Sequence, residues 1–149
     1  MVSRPGLVIG RGGTGLEVLK KYITQFLHKN KSRKDTLKIE LRVEPVKEPN
    51  LDAHIIANSI ADQLVKRLPH KRVVNQAIER IMGAHAKGAR IILSGRINGA
   101  EISRREKYQK GTVPLSTIRE EIDYAQIPSL TKSGYIGVKV WIAKGEKPI

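Results

Sequence analysis

Pro45 and Pro49 stand where one pattern of hydrophobic residues ends and a different one begins. A proline removes a backbone hydrogen-bond donor, so neither a central strand nor a helix is expected to continue across both positions. Before them apolar and charged residues alternate. After Asn50, a residue type that caps helices, apolar residues recur at helical spacing. We therefore predict two domains, residues 1–47 and residues 48–149.

The front domain shows one helix pattern and one strand pattern. Apolar residues recur at helical spacing from Thr14 to about His28, and they alternate with charged residues from Leu37 to Val43. One helix and one strand cannot bury a core alone. We therefore expect this domain to be incomplete, either packed on the back domain or lacking strands that normally precede Met1.

The back domain combines both periodicities. A helix pattern runs from residue 51 to Leu68, where Pro69 interrupts it, and a second runs from Val73 to Met82. Residues 89–93 read as a buried strand, and 136–142 alternate again. Trp141 lies in that last apolar strand and is expected to pack in the core.

The charge of the chain points to an anionic partner. The 28 lysines and arginines exceed the 14 acids, for a net charge of +14 and a pI near 10.2. So large an excess of one sign makes a small domain repel itself, and binding to a polyanion relieves the repulsion. There is no cysteine, no run of about 18 apolar residues and no signal peptide, so we expect neither a disulfide framework nor a membrane partner.

A glycine-rich loop, Gly10 to Gly15, matches G-x-G-x-x-G, and the match admits several readings. A dinucleotide-binding loop needs a full strand before it and an acid after the next strand, and the chain lacks both. A P-loop needs lysine and serine or threonine where Leu16 and Glu17 stand. The reading that remains is the G-x-x-G of a KH domain, which clamps a sugar-phosphate backbone. A merely flexible helix start stays open beside it.

No enzyme chemistry is indicated. The four histidines have no metal-ligand spacing, and Glu120, Glu121 and Asp123 have no nucleophile or acid–base partner at a defined spacing. We expect a protein that is not an enzyme, with no cofactor and no metal.

Longer motifs resemble one family, the bacterial-type small ribosomal subunit protein three. The front motif is Arg4-Pro5-Gly6-Leu7-Val8-Ile9-Gly10-Arg11-Gly12-Gly13, and the more specific one is Ser94-Gly95-Arg96-Ile97-Asn98-Gly99-Ala100-Glu101-Ile102-Ser103-Arg104-Arg105. Three further segments continue the resemblance in order: 111–115, 122–124 and 134–146.

The resemblance implies an α+β protein, in which an N-terminally truncated type II KH domain precedes a two-layer α/β domain with helices on one face of a mixed sheet. It also implies binding to small-subunit ribosomal RNA in the head, contacts with neighbouring head proteins, and a place along the channel where messenger RNA enters. The location would be a cytoplasmic or organellar ribosome. A free regulatory KH protein acting on messenger RNA is the alternative.

The candidate RNA-binding residues are glycines that let a backbone approach and cations that neutralise phosphates. In the family's basic cluster at the channel, Lys71 and Arg72 match, but Asn75 stands where a further basic residue is usual. That substitution puts a messenger-unwinding role in doubt. The full set of candidates is Gly10, Arg11, Gly12, Gly13, Arg67, Lys71, Arg72, Arg96, Arg104, Arg105, Lys107 and Lys110.

Overall fold

A computed structural model describes residues 5–30 and 39–146 of the chain. The chain divides into two compact units, Met1–Lys47 and Glu48–Ile149. Each unit is described by itself.

Unit 1 contains two helices joined by the glycine-rich loop. Helix α1 spans Pro5–Ile9 and helix α2 spans Thr14–Asn30, which confirms the helix predicted from the apolar spacing. No side chain described in residues 5–27 and 39–47 is buried, and Phe26 on α2 is 60% exposed. The apolar residues of α2 are therefore at most half-buried within the described part of this unit.

We predicted a strand from Leu37 to Val43, and for the residues of this range that the structure describes the prediction is wrong. Residues 37 and 38 lie outside the described residues, and residues 39–43 form no strand. Alternation shows only that a segment suits a half-buried ladder, whereas a ladder also needs a neighbouring strand to accept its hydrogen bonds. No such neighbour pairs with 39–43 in the part of unit 1 that the structure describes.

Unit 2 begins with two helices at the predicted places. Helix α3 spans Ala53–Val65 and helix α4 spans His70–Gly83. The cap of α3 is Asp52, whose Oδ1 accepts from the backbone N–H groups of His54 (2.9 Å) and Ile55 (3.0 Å). Asn50, the predicted cap, lies instead in a short 3-10 turn.

The sheet of unit 2 has four strands, β1 (Gly88–Gly95), β2 (Arg104–Gly111), β3 (Glu120–Thr131) and β4 (Gly134–Glu146). The order is β2-β1-β4-β3, and every neighbouring pair is antiparallel. The two-layer α+β prediction is confirmed, but the sheet is not mixed. Antiparallel neighbours need no crossover helix: the loop 96–103 connects β1 to β2, and the turn 132–133 connects β3 to β4.

The core of unit 2 lies on one face of the sheet. Helix α3 contacts β3 and β4, and α4 contacts β1 and β2. The inward residues of the central strands, such as Ile91, Leu93 and Val138, are fully buried against both helices. Because strand side chains alternate, their neighbours in sequence face the other way. That second face carries Trp141, so the prediction that Trp141 packs in the core is wrong: it is only half-buried and packs beside Tyr124.

Candidate nucleic-acid interface

The glycine-rich loop forms a tight connection between α1 and α2. Gly10, Gly12 and Gly13 have φ angles of 71°, 65° and 81°, a region that glycine adopts without strain. The Oγ1 of Thr14 donates to the backbone oxygen of Arg11 at 3.0 Å. A helix, not a strand, precedes the loop, which removes the dinucleotide-binding reading.

Exposed backbone and one cation form the tip of this loop. Arg11 and Gly12 are both exposed, so a sugar-phosphate chain can approach the main chain without meeting a side chain on Gly12. Glu17 lies in the first turn of α2 and already complements its positive dipole end. The loop main chain and Arg11, rather than the helix dipole, would therefore hold a phosphate.

The first turn of α4 carries two cations, although the helix dipole disfavours positive charge at a helix N-terminus. Lys71 and Arg72 are exposed there, and no acidic residue lies in that turn. Cations at a helix N-terminus oppose the dipole by about 0.3–1 kcal/mol each at low ionic strength. The stability of the free protein does not account for this pair, whereas a bound phosphate would. Asn75, four residues after Lys71, is exposed on the same side of the helix.

A polar cluster fixes the start of α4 against the edge strand β2. The Nε2 of the buried His70 lies 2.9 Å from Glu106 Oε2, and Arg104 Nε lies 2.8 Å from Glu106 Oε1. Tyr108 donates its hydroxyl to Glu106 at 2.6 Å. The cluster thus sets the position of the turn that carries Lys71 and Arg72.

The Glu106–Tyr108 hydrogen bond predicts a pH dependence of stability. This bond, with smaller contributions from the His70 and Arg104 charges, lowers the pKa of Glu106 despite the opposing effect of burial. A carboxyl whose pKa is lower in the folded state stabilises the fold above its unfolded pKa, and the contribution is lost as the pH falls through the folded pKa. We expect the Tm advantage of the wild type over Glu106→Gln to shrink as the pH is lowered from neutral into the acid range.

Differential scanning fluorimetry across pH checks this, with Glu101→Gln, an exposed loop change, as the control. An advantage of constant size would contradict the expected role of the cluster. At the alkaline end, burial and the bond to Glu106 raise the pKa of Tyr108 to about 12. The stability that Tyr108 contributes should be complete below its unfolded pKa, about 10, and should be lost as the pH rises towards 12.

A second basic feature is a groove of about 440 Å³ in unit 2. Arg67 and Arg96, both predicted, line it together with Lys132, which was not among the predicted residues. Arg67 has a φ of 59°, unusual for a residue other than glycine. The Arg96 guanidinium donates to the backbone oxygens of Ala100 (2.8 Å) and Ser133 (3.4 Å). Arg96 therefore also holds the loops around the groove.

The basic run from Arg104 to Lys110 lies on edge strand β2. Strand alternation divides the run between the two faces of the sheet. Arg104 and Lys110 lie on the helix side, where Arg104 pairs with Glu106. Arg105 and Lys107 lie on the open side. Cations on an edge strand also hinder pairing with other chains, so this role stands beside phosphate binding.

Three cations were not predicted from the sequence, because only the strand pairing shows that they lie on an accessible surface. Lys132 occupies the turn between β3 and β4, where a turn residue after an unrecognised strand carries no motif. Arg90 and Lys139 lie within buried strands but point to the open face. Within residues 5–30 and 39–146 no group of histidine, aspartate and glutamate is arranged to hold a metal ion. None of the helices described is long and apolar enough to cross a membrane.

In comparisons with known proteins, one family profile matches each of the two units. The profile of the C-terminal domain of ribosomal protein S3 matches residues 60–142, more than half of the chain. A KH domain profile matches residues 1–51.

Three relatives show how far the similarity extends. Small ribosomal subunit protein uS3 of Dictyoglomus turgidum is 44% identical over 146 residues, which is 98% of this chain and 56% of the relative. The uS3 of Carboxydothermus hydrogenoformans is 44% identical over 97% of this chain and 61% of its own length. The uS3c of Rhodomonas salina is 42% identical over 97% of this chain and 64% of its own length. The chain thus spans less than two thirds of each of these relatives.

Proposed function

The chain belongs to the ribosomal protein S3 family, and from this membership we propose that it is a structural component of the small ribosomal subunit. It acts by binding small-subunit ribosomal RNA in the head, beside neighbouring head proteins, and it is not an enzyme. Its exposed cations also line the channel where messenger RNA enters. The assembled particle is a cytoplasmic or organellar ribosome.

One observation carries the RNA-binding proposal. Lys71 and Arg72 occupy an exposed first helical turn that contains no acidic residue of its own, although the helix dipole disfavours cations there. An anion at this turn would interact favourably with the dipole, both side chains and the free N–H groups of the turn. A polyphosphate chain supplies such anions in series. The net charge of +14 supports the same class of partner.

Two further features support contacts along a phosphate backbone rather than reading of bases. The exposed Gly12 main chain in unit 1 and the basic groove of unit 2 can both approach a sugar-phosphate chain. Contacts of this kind position an RNA without specifying its sequence. Asn75 supplies no positive charge beside Lys71, so unwinding of messenger RNA at this turn is not part of the proposal.

RNA binding should depend steeply on salt. The logarithm of the affinity for a single-stranded RNA should fall against the logarithm of salt concentration with a slope of about −0.7 per phosphate contact. Fluorescence anisotropy with a labelled ribosomal RNA fragment measures the slope. A response that is flat across the salt series would contradict phosphate neutralisation as the basis of binding.

A free KH protein that regulates messenger RNA is the second candidate, favoured by the G-x-x-G loop and the KH profile over residues 1–51. Sucrose-gradient sedimentation of a tagged chain in growing cells separates the two. Incorporation predicts co-sedimentation with small subunits that persists through a high-salt wash. A chain found only in light fractions would favour the free regulator.

A further inference from the structure

The face of the unit 2 sheet that points away from α3 and α4 carries aromatic side chains. In the ladder, Trp141 of β4 pairs with Arg90 of β1 on one side and with Tyr124 of β3 on the other. The rings of Tyr124 and Trp141 lie 5.0 Å apart between centroids with an interplanar angle of 36°. Tyr124 is 48% exposed. Two adjoining, partly exposed rings thus lie on paired strands of this face.

A second pair of exposed apolar side chains lies on the same face, beyond the polar Gln126–Lys139 pair. Tyr135 pairs with Leu130 near the β3–β4 turn, and they are 67% and 60% exposed. Large side chains exposed together on one face, rather than scattered singly, are a feature of interaction sites. Since both helices cover the opposite face, none of the elements that the structure describes in unit 2 packs over these side chains.

The charges among these side chains are all positive. Lys139 lies next to the aromatic pair on β4, and Arg105 and Lys107 extend the face onto β2. Arg90 lies on the same face, and its Nε donates to Gln109 Oε1 of β2 at 3.1 Å, so its charge adds to those of Arg105 and Lys107. From the Arg90–Trp141–Tyr124 row to the Tyr135–Leu130 pair, no paired position of this face carries a carboxylate. Aromatic rings among cations, with no carboxylate between them, complement a polyanion that carries flat rings. A protein partner of ordinary composition would bring both signs of charge and would not need this arrangement.

We propose that this open face binds single-stranded RNA, with bases stacked on Trp141, Tyr124 and Tyr135 and phosphates on the surrounding cations. Every base has a π face, so stacking of this kind tolerates any sequence. Unpaired bases splayed on a sheet are also the way other sheet proteins recognise single-stranded RNA. The surface is distinct from the Lys71–Arg72 turn, which lies on a helix packed against the other face. The proposal rests on the proposed function, since the chain has to meet RNA.

The single tryptophan of the chain makes the test direct. Titrating the full chain with a single-stranded oligouridine should quench the Trp141 fluorescence in step with binding. Inorganic polyphosphate of matched charge should bind without comparable quenching, because it has no bases. In anisotropy measurements, Trp141→Leu and Tyr124→Ala should each weaken binding of the oligonucleotide by about 5- to 150-fold, as expected for the loss of one stacked base.

Two readouts keep a folding defect separate from a binding defect. The first is the thermal transition, which should stay cooperative in each variant if the fold is intact. The second is the Lys139→Gln variant, which leaves the rings in place. It should weaken binding and reduce the salt slope without abolishing the quenching of Trp141. Salt-dependent binding without quenching, or equal quenching by polyphosphate, would overturn the stacking proposal and leave the proposed function standing. Absence of any RNA binding would overturn both. A wild-type dimer in light scattering that Tyr124→Ala converts to monomer would assign the face to self-association and overturn the proposal.

Discussion

Replacing Lys71 and Arg72 by glutamate will stabilise the free protein and weaken its RNA binding at the same time. Both residues lie in the first turn of α4, which has no acid of its own. Glutamate there complements the helix dipole, so each change should increase the free energy of unfolding by about 0.3–1 kcal/mol at low ionic strength. Opposite effects on stability and binding are expected of residues retained for a ligand.

The binding loss of the double variant should appear mainly as a change in salt dependence. Loss of two phosphate contacts should reduce the magnitude of the log–log slope by about 1.4 for single-stranded RNA. The affinity should fall most at low salt, where counterion release contributes most. Unfolding in urea and anisotropy over a salt series measure the two quantities.

Arg80→Glu provides a matched control on the same helix. Arg80 lies in the last turn of α4, where its charge suits the dipole, and the change alters the net charge as much as either single glutamate variant. We expect it to destabilise the protein slightly and to leave the salt slope unchanged. If Arg80→Glu weakened RNA binding as much as Lys71→Glu, net charge rather than the first turn of α4 would explain the effect.

Truncating Leu93 to alanine will lower the free energy of unfolding more than any of the other substitutions proposed. Leu93 is fully buried in the middle of β1, between the helix layer and the sheet. Removing its side-chain carbons from such a site costs about 2–5 kcal/mol, since the core relaxes only partly around the cavity. For a unit of this size the Tm should fall by at least about 8 °C.

Leu130→Ala on β3 is the control for Leu93, because the same substitution is made on the same sheet at a residue that is 60% exposed. Scanning calorimetry should show a much smaller change for it. Equal losses of Tm would mean that the helices do not cover the face that carries Leu93.

The helices of unit 2 could be predicted from the sequence, whereas half of the sheet could not. Apolar residues repeat at helical spacing in α3 and α4, since one side of each packs on the sheet. The edge strands β2 and β3 are largely exposed and carry many polar residues, so their alternation is weak. Their pairing depends on ladder hydrogen bonds to β1 and β4, which no local pattern reveals.

The candidate site divides in the same way. The glycine loop was predicted because a local motif contains its whole signal, and the Lys71–Arg72 pair was predicted through the resemblance to the family's basic cluster. The aromatic face was missed because Trp141, Tyr124 and Arg90 are separated in sequence and become neighbours only through strand register. A strand rich in valine and isoleucine also made core packing the natural expectation for Trp141.

By itself the sequence determined the positions of the main helices, the glycine loop, the excess of positive charge and the family. These properties depend on local spacing, on composition or on order along the chain. Only the tertiary structure decided which cations lie together and which side of each strand is covered. Period-two alternation distinguishes two faces of a strand but does not say which one the helices will cover, and strand pairing joins residues that are distant in sequence.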